Sequence, residues 1–151
     1  MPTSGLEVFD SSLQKTHIWL DEIMGELGVG RRPAWHVLGV VLRAVRDRLP
    51  LPLGAKFSAQ LPLLVRGAYY DQFRPADVPV PVRSWGDFLA LLAPGTIDLD
   101  PPIPPARAAE AVFGILSRHL DPDEIAKVQQ ALPHELREHW AAAVAAAEAL
   151  P

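Results

Sequence analysis

Apolar residues recur at helical spacing along nearly the whole chain, and no segment sustains the period-two alternation of a half-buried strand. The first periodic segment runs through Leu13, Thr16, His17, Leu20, Met24 and Leu27, with Ile18 and Trp19 widening its apolar face. Ser11 or Ser12 is placed to cap this helix and Gly28 to end it. After Gly28-Val29-Gly30, Pro33 suits an early helical position, where its missing N–H is not needed. Leu38, Val41, Leu42, Val45 and Leu49 then make one stripe, with Arg43, Arg46 and Asp47 off it, and Pro50-Leu51-Pro52 closes the helix. A short helix follows through Ala55, Lys56 and Ala59. Pro62 disfavours helical geometry at Leu61, so the chain should turn there and start afresh from Pro62 to about Tyr70.

Pro75, Pro79 and Pro81, separated by Val78 and Val80, predict an extended connection over 75–83, since proline cannot complete a strand ladder. Ser84 or Asp87 opens a short helix through Trp85, Phe88, Leu89 and Leu92, which Pro94-Gly95 should stop. Beyond Pro101-Pro102-Ile103-Pro104-Pro105, the residues Ala109, Val112, Phe113, Leu116 and Leu120 make another stripe. Asp121 is placed to cap the next helix, Pro122 fits its first turn, and Glu124 stands where its carboxylate can reach back to the cap amide. That helix runs to Leu132, Pro133 turns the chain, and a last helix carries Leu136, Trp140 and Val144 on one face before an Ala-rich tail to Leu150.

The two stripes are the same pattern displaced by 71 residues. At that offset, without a gap, Leu49 matches Leu120, Ala55 matches Ala126, Lys56 matches Lys127, Leu61 matches Leu132, Pro62 matches Pro133 and Arg66 matches Arg137. Gln60, Leu61 and Pro62 form the first corner; Leu132 and Pro133 form the second. Such a recurrence is the mark of an internal duplication. The expected fold is therefore all-α: a compact bundle of about seven to eight helices in one domain spanning 1–151, built from two tandem repeats with approximate internal two-fold symmetry. Repeat one covers about 11–74 and repeat two about 84–150.

Several short motifs in this order resemble a bacterial family of domains of unknown function, family 2267. In the first half these are Arg46-Asp47-Arg48-Leu49, Ala59-Gln60-Leu61-Pro62, Arg66-Gly67 and Tyr69-Tyr70. In the second they are Val112-Phe113, Leu116-Ser117-Arg118-His119, Asp121-Pro122 with Glu124-Ile125, Leu132-Pro133, and Leu136-Arg137 with Trp140. The resemblance spans roughly Phe9 to Trp140. It implies a helical fold and supplies no activity or catalytic residue. Where the family tends to place Trp after the paired tyrosines this chain has Phe73, and it adds the Ala-rich tail after Trp140.

Composition narrows the chemistry. The chain has no cysteine, which excludes thiolate metal sites, a thiol nucleophile and thiol redox switching, and fits a reducing cytoplasm. Met1 to Glu7 lack the basic and apolar regions of a secretion signal, and no run approaches the length of a membrane span. The expected location is cytoplasmic. The net charge of −4 is unevenly spread: residues 1–30 hold one base and five acids, residues 31–74 eight bases and two acids, and residues 75–151 five bases and eleven acids. Either oppositely charged helices pack side by side, or the basic block meets an acidic partner. The block lacks a helix-turn-helix or an exposed aromatic platform, so nucleic acid is not expected.

Motifs for catalysis fail on spacing. His134 and His139 in His134-Glu135-Leu136-Arg137-Glu138-His139 stand at i and i+5, not the i and i+4 that lets two histidines face one zinc ion, and no third ligand is near in sequence. His17, His36 and His119 are scattered; Ser58 and Ser117 have no adjacent base; Gly25 to Gly30 neither follow a strand nor precede Lys-Ser/Thr. The pattern predicts no catalysis, cofactor or metal. It points to a protein-interaction or regulatory module with an unknown protein partner or self-association, or else to a small-molecule or anion site in a groove between the repeats. The candidate binding residues are Arg66, its match Arg137, Tyr69, Tyr70 and Trp140, because they stand at equivalent places where each repeat closes.

Overall fold

The computed structural model describes residues 4–149. Eight α-helices follow one another there without a strand: α1 Glu7–Leu27, α2 Arg31–Arg48, α3 Leu51–Ser58, α4 Leu63–Tyr70, α5 Trp85–Thr96, α6 Pro105–His119, α7 Pro122–Ala131 and α8 His134–Glu148. The tail is helical as far as Glu148, whereas Met1 to Thr3 and the end of the tail at Leu150 lie outside the described residues. Both predicted stripes are interior: Leu38, Val41, Leu42 and Val45 in α2 with Leu49 just past its end, and Ala109, Val112, Phe113 and Leu116 in α6 with Leu120 just past its end. These two helices form the centre. Helix α2 packs on α1, α4, α5 and α6, and α6 packs on α1, α2, α5, α7 and α8, so every helix but α3 touches one of them. Helix α3 instead meets α7.

Both proline corners fall at Leu61-Pro62 and Leu132-Pro133, and both leucines are buried at 2% exposure. Equivalent contacts recur at the offset of 71. Arg66 Nη2 donates to the Leu61 carbonyl at 3.0 Å, and Arg137 Nη2 to the Leu132 carbonyl at 3.3 Å. Arg46 meets Tyr69, and their matches Ser117 and Trp140 also meet, the indole Nε1 donating to the hydroxyl at 2.8 Å.

Several helix limits differ from expectation for local reasons. Helix α1 starts at Glu7, four residues before Ser11, with Glu7 and Asp10 as first-turn acids favoured by the helix dipole. Ser12 is consequently inside the helix and buried, its oxygen accepting the Leu64 amide at 3.1 Å, which ties α1 to the start of α4. Gly28 ends α1 in the left-handed region (φ 66°) that glycine enters freely, and its amide closes on Met24. Helix α2 begins at Arg31 rather than at Pro33, which still falls among the first amides that need no helical acceptor. Helix α5 continues past Pro94 to Thr96, because Leu92 and Thr96 are buried and Gly95 lies against Val40 of α2, where a Cβ would stand 2.6 Å from Val40 Cγ2.

The 75–83 connection contains a 3₁₀ turn at Pro75–Asp77 and is bound to α2: the Val80 amide donates to Asp47 O at 2.8 Å, and Arg48 Nε to Val82 O at 2.7 Å. At α7, Asp121 caps Asp123 N at 2.9 Å as its position implies. Glu124 does not reach back to the cap amide. Gln60 from the first corner accepts that N–H at 3.2 Å, and Glu124 turns instead to Lys56 and Lys127.

Candidate functional site

The basic block of residues 31–74 mostly serves the fold. Arg46, off the predicted stripe, is buried at 4% exposure. Its Nη1 donates to Tyr69 O and Asp71 O, each at 2.7 Å, its Nε to Asp47 Oδ1 at 2.8 Å, and the guanidinium lies over the Phe73 ring. Arg43 donates to Ala68 O at 3.1 Å, so two arginines of α2 satisfy carbonyls at the C-terminal end of α4, where cations suit the helix dipole. Burial pulls the Arg43 guanidinium below its ordinary value, against the opposing charge of Asp71. Arg31 pairs with Asp21, Lys56 with Glu124, and Arg48 with Val82 O.

Arg66 does two things. Its Nε and Nη2 donate to the carbonyls of Ser58 (2.9 Å), Ala59 (3.2 Å) and Leu61 (3.0 Å), closing the end of α3. It also lines a groove of about 530 Å³. Three separate stretches build that groove: Val8, Ser11, Ser12, Lys15 and Trp19 along α1; Ala59 to Leu63 with Arg66 at the first corner; and His119-Leu120 where α6 ends. It thus lies between the two halves of the chain.

The other sequence candidates stand elsewhere. Tyr69 and Trp140 are completely buried. The Tyr69 hydroxyl donates to Gly54 O at 2.8 Å, and burial, then its neighbour Tyr70, push its pKa well above the usual phenol value, which keeps the phenol protonated as that bond requires. Trp140 stacks on Phe113 with ring centres 4.3 Å apart. Tyr70 is at the surface, sharing a 2.8 Å hydrogen bond with Ser58, and Arg137 caps the second corner. Only Arg66 of the five lines the groove, together with Gln60, Leu61, Pro62 and Leu120 from the repeat motif; Leu49, Leu132 and Pro133 do not.

Two groove residues were missed as candidates. Lys15 is the sole base in the first 30 residues, and its spacing from Ser11, Ser12 and Trp19 puts all four on one side of α1, which was the available signal. His119 stacks on Trp19 with centres 5.5 Å apart and contacts Glu22 through Nε2, while Arg118 Nε meets the same carboxylate at 3.0 Å. Sequence alone could not pair α1 with the end of α6.

No aspartate or glutamate lines the groove, in a chain of net charge −4. Lys15 has neither an ion pair nor a hydrogen bond among the described residues, and Gln60 uses only its carbonyl oxygen, which leaves its amide hydrogens free. The histidine pair of α8 is split as its i, i+5 spacing implies: His134 contacts Glu138, while His139 stacks on Trp85 at 4.1 Å. Among the described residues no cluster of three or more His, Asp or Glu could hold a metal ion, and no helix is long and apolar enough to cross a membrane.

An eight-helix bundle with a groove between its halves defines the class, an all-α domain. Residues 16–139 match the model of an uncharacterised conserved protein family, DUF2267, and the chain belongs to that family. No curated protein matches it. The family's activity is unknown, and the groove wall from Val8 to Lys15 lies outside the matched residues.

Proposed function

We propose that this chain acts without catalysis of its own, as a cytoplasmic binding module whose working face is the groove between α1, the Leu61-Pro62 corner and the end of α6. The single observation behind this reading is the charge of that groove. It is ligand-sized at about 530 Å³, presents Lys15 and Arg66, and has no carboxylate in its lining, although acids outnumber bases over the whole chain. On the same reading the two halves are copies, and the recurring contacts at offset 71 support it: duplication of a helical unit creates a cleft where the copies meet, and divergence is then free to furnish it.

The test is native mass spectrometry of the chain isolated gently, at low ionic strength, from the cells that make it, alongside Leu63→Glu. Leu63 lines the groove and is about half exposed, so this change places a carboxylate there at little cost to the core. A mass increment of a few hundred daltons on the wild type, absent from the variant, is the expected result. A bare chain in both, or an increment the variant keeps, overturns the reading.

A protein partner or self-association is the second reading. It is favoured by Phe9 and Leu13, exposed on α1 away from the groove-lining positions, and by the exposed Leu6 just before the helix. An added mass equal to a whole protein chain, retained by Leu63→Glu and lost in Phe9→Ser, would select it.

A further inference from the structure

We infer that the groove is a site for a carboxylate borne on an apolar body. This rests on the groove being the binding face and adds the chemistry of its occupant. Among the described residues the Lys15 ammonium has no ion pair or hydrogen bond. Gln60 accepts the Asp121 amide through its oxygen, so its NH₂ remains as a pair of donors. The Ser12 oxygen already accepts the Leu64 amide, which leaves its O–H to donate. Arg66 is held by three backbone carbonyls through Nε and Nη2, so only Nη1 is left, fixed in place by the other bonds.

The groove therefore offers donors and positive charge, and its complement is an acceptor-only anion. Lys15 and Arg66 together can balance either a carboxylate or a phosphate, so the apolar part of the lining decides between them. Val8, Trp19, Leu61, Leu63 and Leu120 supply apolar wall, which a bare inorganic anion would leave in contact with water. His119, already stacked on Trp19 and in contact with Glu22, is not counted among the free donors.

Calorimetric titration of the full chain with octanoate, octanamide and inorganic phosphate tests this, using wild type and Lys15→Gln. Lys15 is exposed and unpaired, so its replacement spares the fold, whereas Arg66 also holds the end of α3 and is left intact. Octanoate is expected to bind one to one, octanamide to bind about tenfold more weakly, and Lys15→Gln to lose about tenfold for octanoate with no change for octanamide. Equal binding of acid and amide, or a Lys15→Gln variant that binds octanoate normally, overturns the inference. So does inorganic phosphate binding as tightly as octanoate, which would make the site a phosphate site. If octanoate fails while Leu63→Glu still strips a small ligand from the isolated protein, only the carboxylate chemistry falls. If both fail, the groove itself is not the binding face.

Discussion

Arg46 is the residue on which the first half closes. An arginine in a helix that is otherwise apolar on its inner side is costly unless its donors find acceptors, and here Tyr69 O, Asp71 O and Asp47 Oδ1 take three of its five N–H groups. Arg46→Met keeps the length and apolar stem but removes the donors, leaving two carbonyls at the end of α4 unsatisfied. A loss of about 3 kcal/mol in unfolding free energy is expected, measured by urea denaturation. Arg46→Lys should recover only part of it, because an ammonium lacks the planar fork that serves Asp47 and the carbonyls together. A periodicity argument necessarily assigns Arg46 to solvent, since it classes residues by polarity. What buries this one is a helix end 23 positions away in sequence. Its match Ser117 carried no hint either, because there the same spatial contact is made in the opposite sense, with Trp140 as donor.

The helices themselves were far more legible than their ends. The stripe of α2 and that of α6 could be read directly because an interior helix must repeat its apolar residues every three or four positions, and the two corners because proline restricts the residue before it. Limits set by tertiary contact were not legible. Nothing local says that α5 should survive Pro94, since the packing of Gly95 on Val40 lies across the bundle. Nothing local says that Glu124 should abandon the cap amide, since the competing acceptor is Gln60 of the other half. The groove failed to appear for the same reason, as it takes walls from three stretches of chain. The corners permit a direct comparison: Leu61→Ala and Leu132→Ala each truncate a buried leucine at an equivalent bend, so thermal or urea unfolding should give a loss of about 2–5 kcal/mol for each. A near-neutral result at one corner would mean that the two bends do not carry the fold equally.

Over the whole molecule, the meeting of α3 and α7 is one place where the two halves are joined by charge, as Arg118 with Glu22 is another. Lys56 and Lys127 match at the offset of 71, and both approach the same oxygen, Glu124 Oε1, at 3.2 and 3.4 Å. The match of Glu124 itself is Leu53, so one half supplies the carboxylate for both lysines. Two like charges brought together in this way repel unless the carboxylate between them is ionised, and Glu124 is mostly buried with Oε2 unpartnered. Burial pushes the Glu124 carboxyl up, but the hydrogen bonds and charges of Lys56 and Lys127 outweigh it and hold the group below its ordinary value. A carboxyl whose pKa is lower in the folded state binds its proton more weakly there than in the unfolded chain. Its stabilising contribution is therefore present above the unfolded carboxylate pKa and is lost as pH falls through the folded one. The wild type should accordingly lose stability more steeply than Glu124→Gln on acidification through the carboxylate range, and the two curves of melting temperature against pH should converge at the acid end. Added salt should narrow the gap at neutral pH, because both lysines are half exposed and screened. Parallel curves would place the acid sensitivity elsewhere and leave the α3–α7 contact as apolar packing with an incidental ion pair.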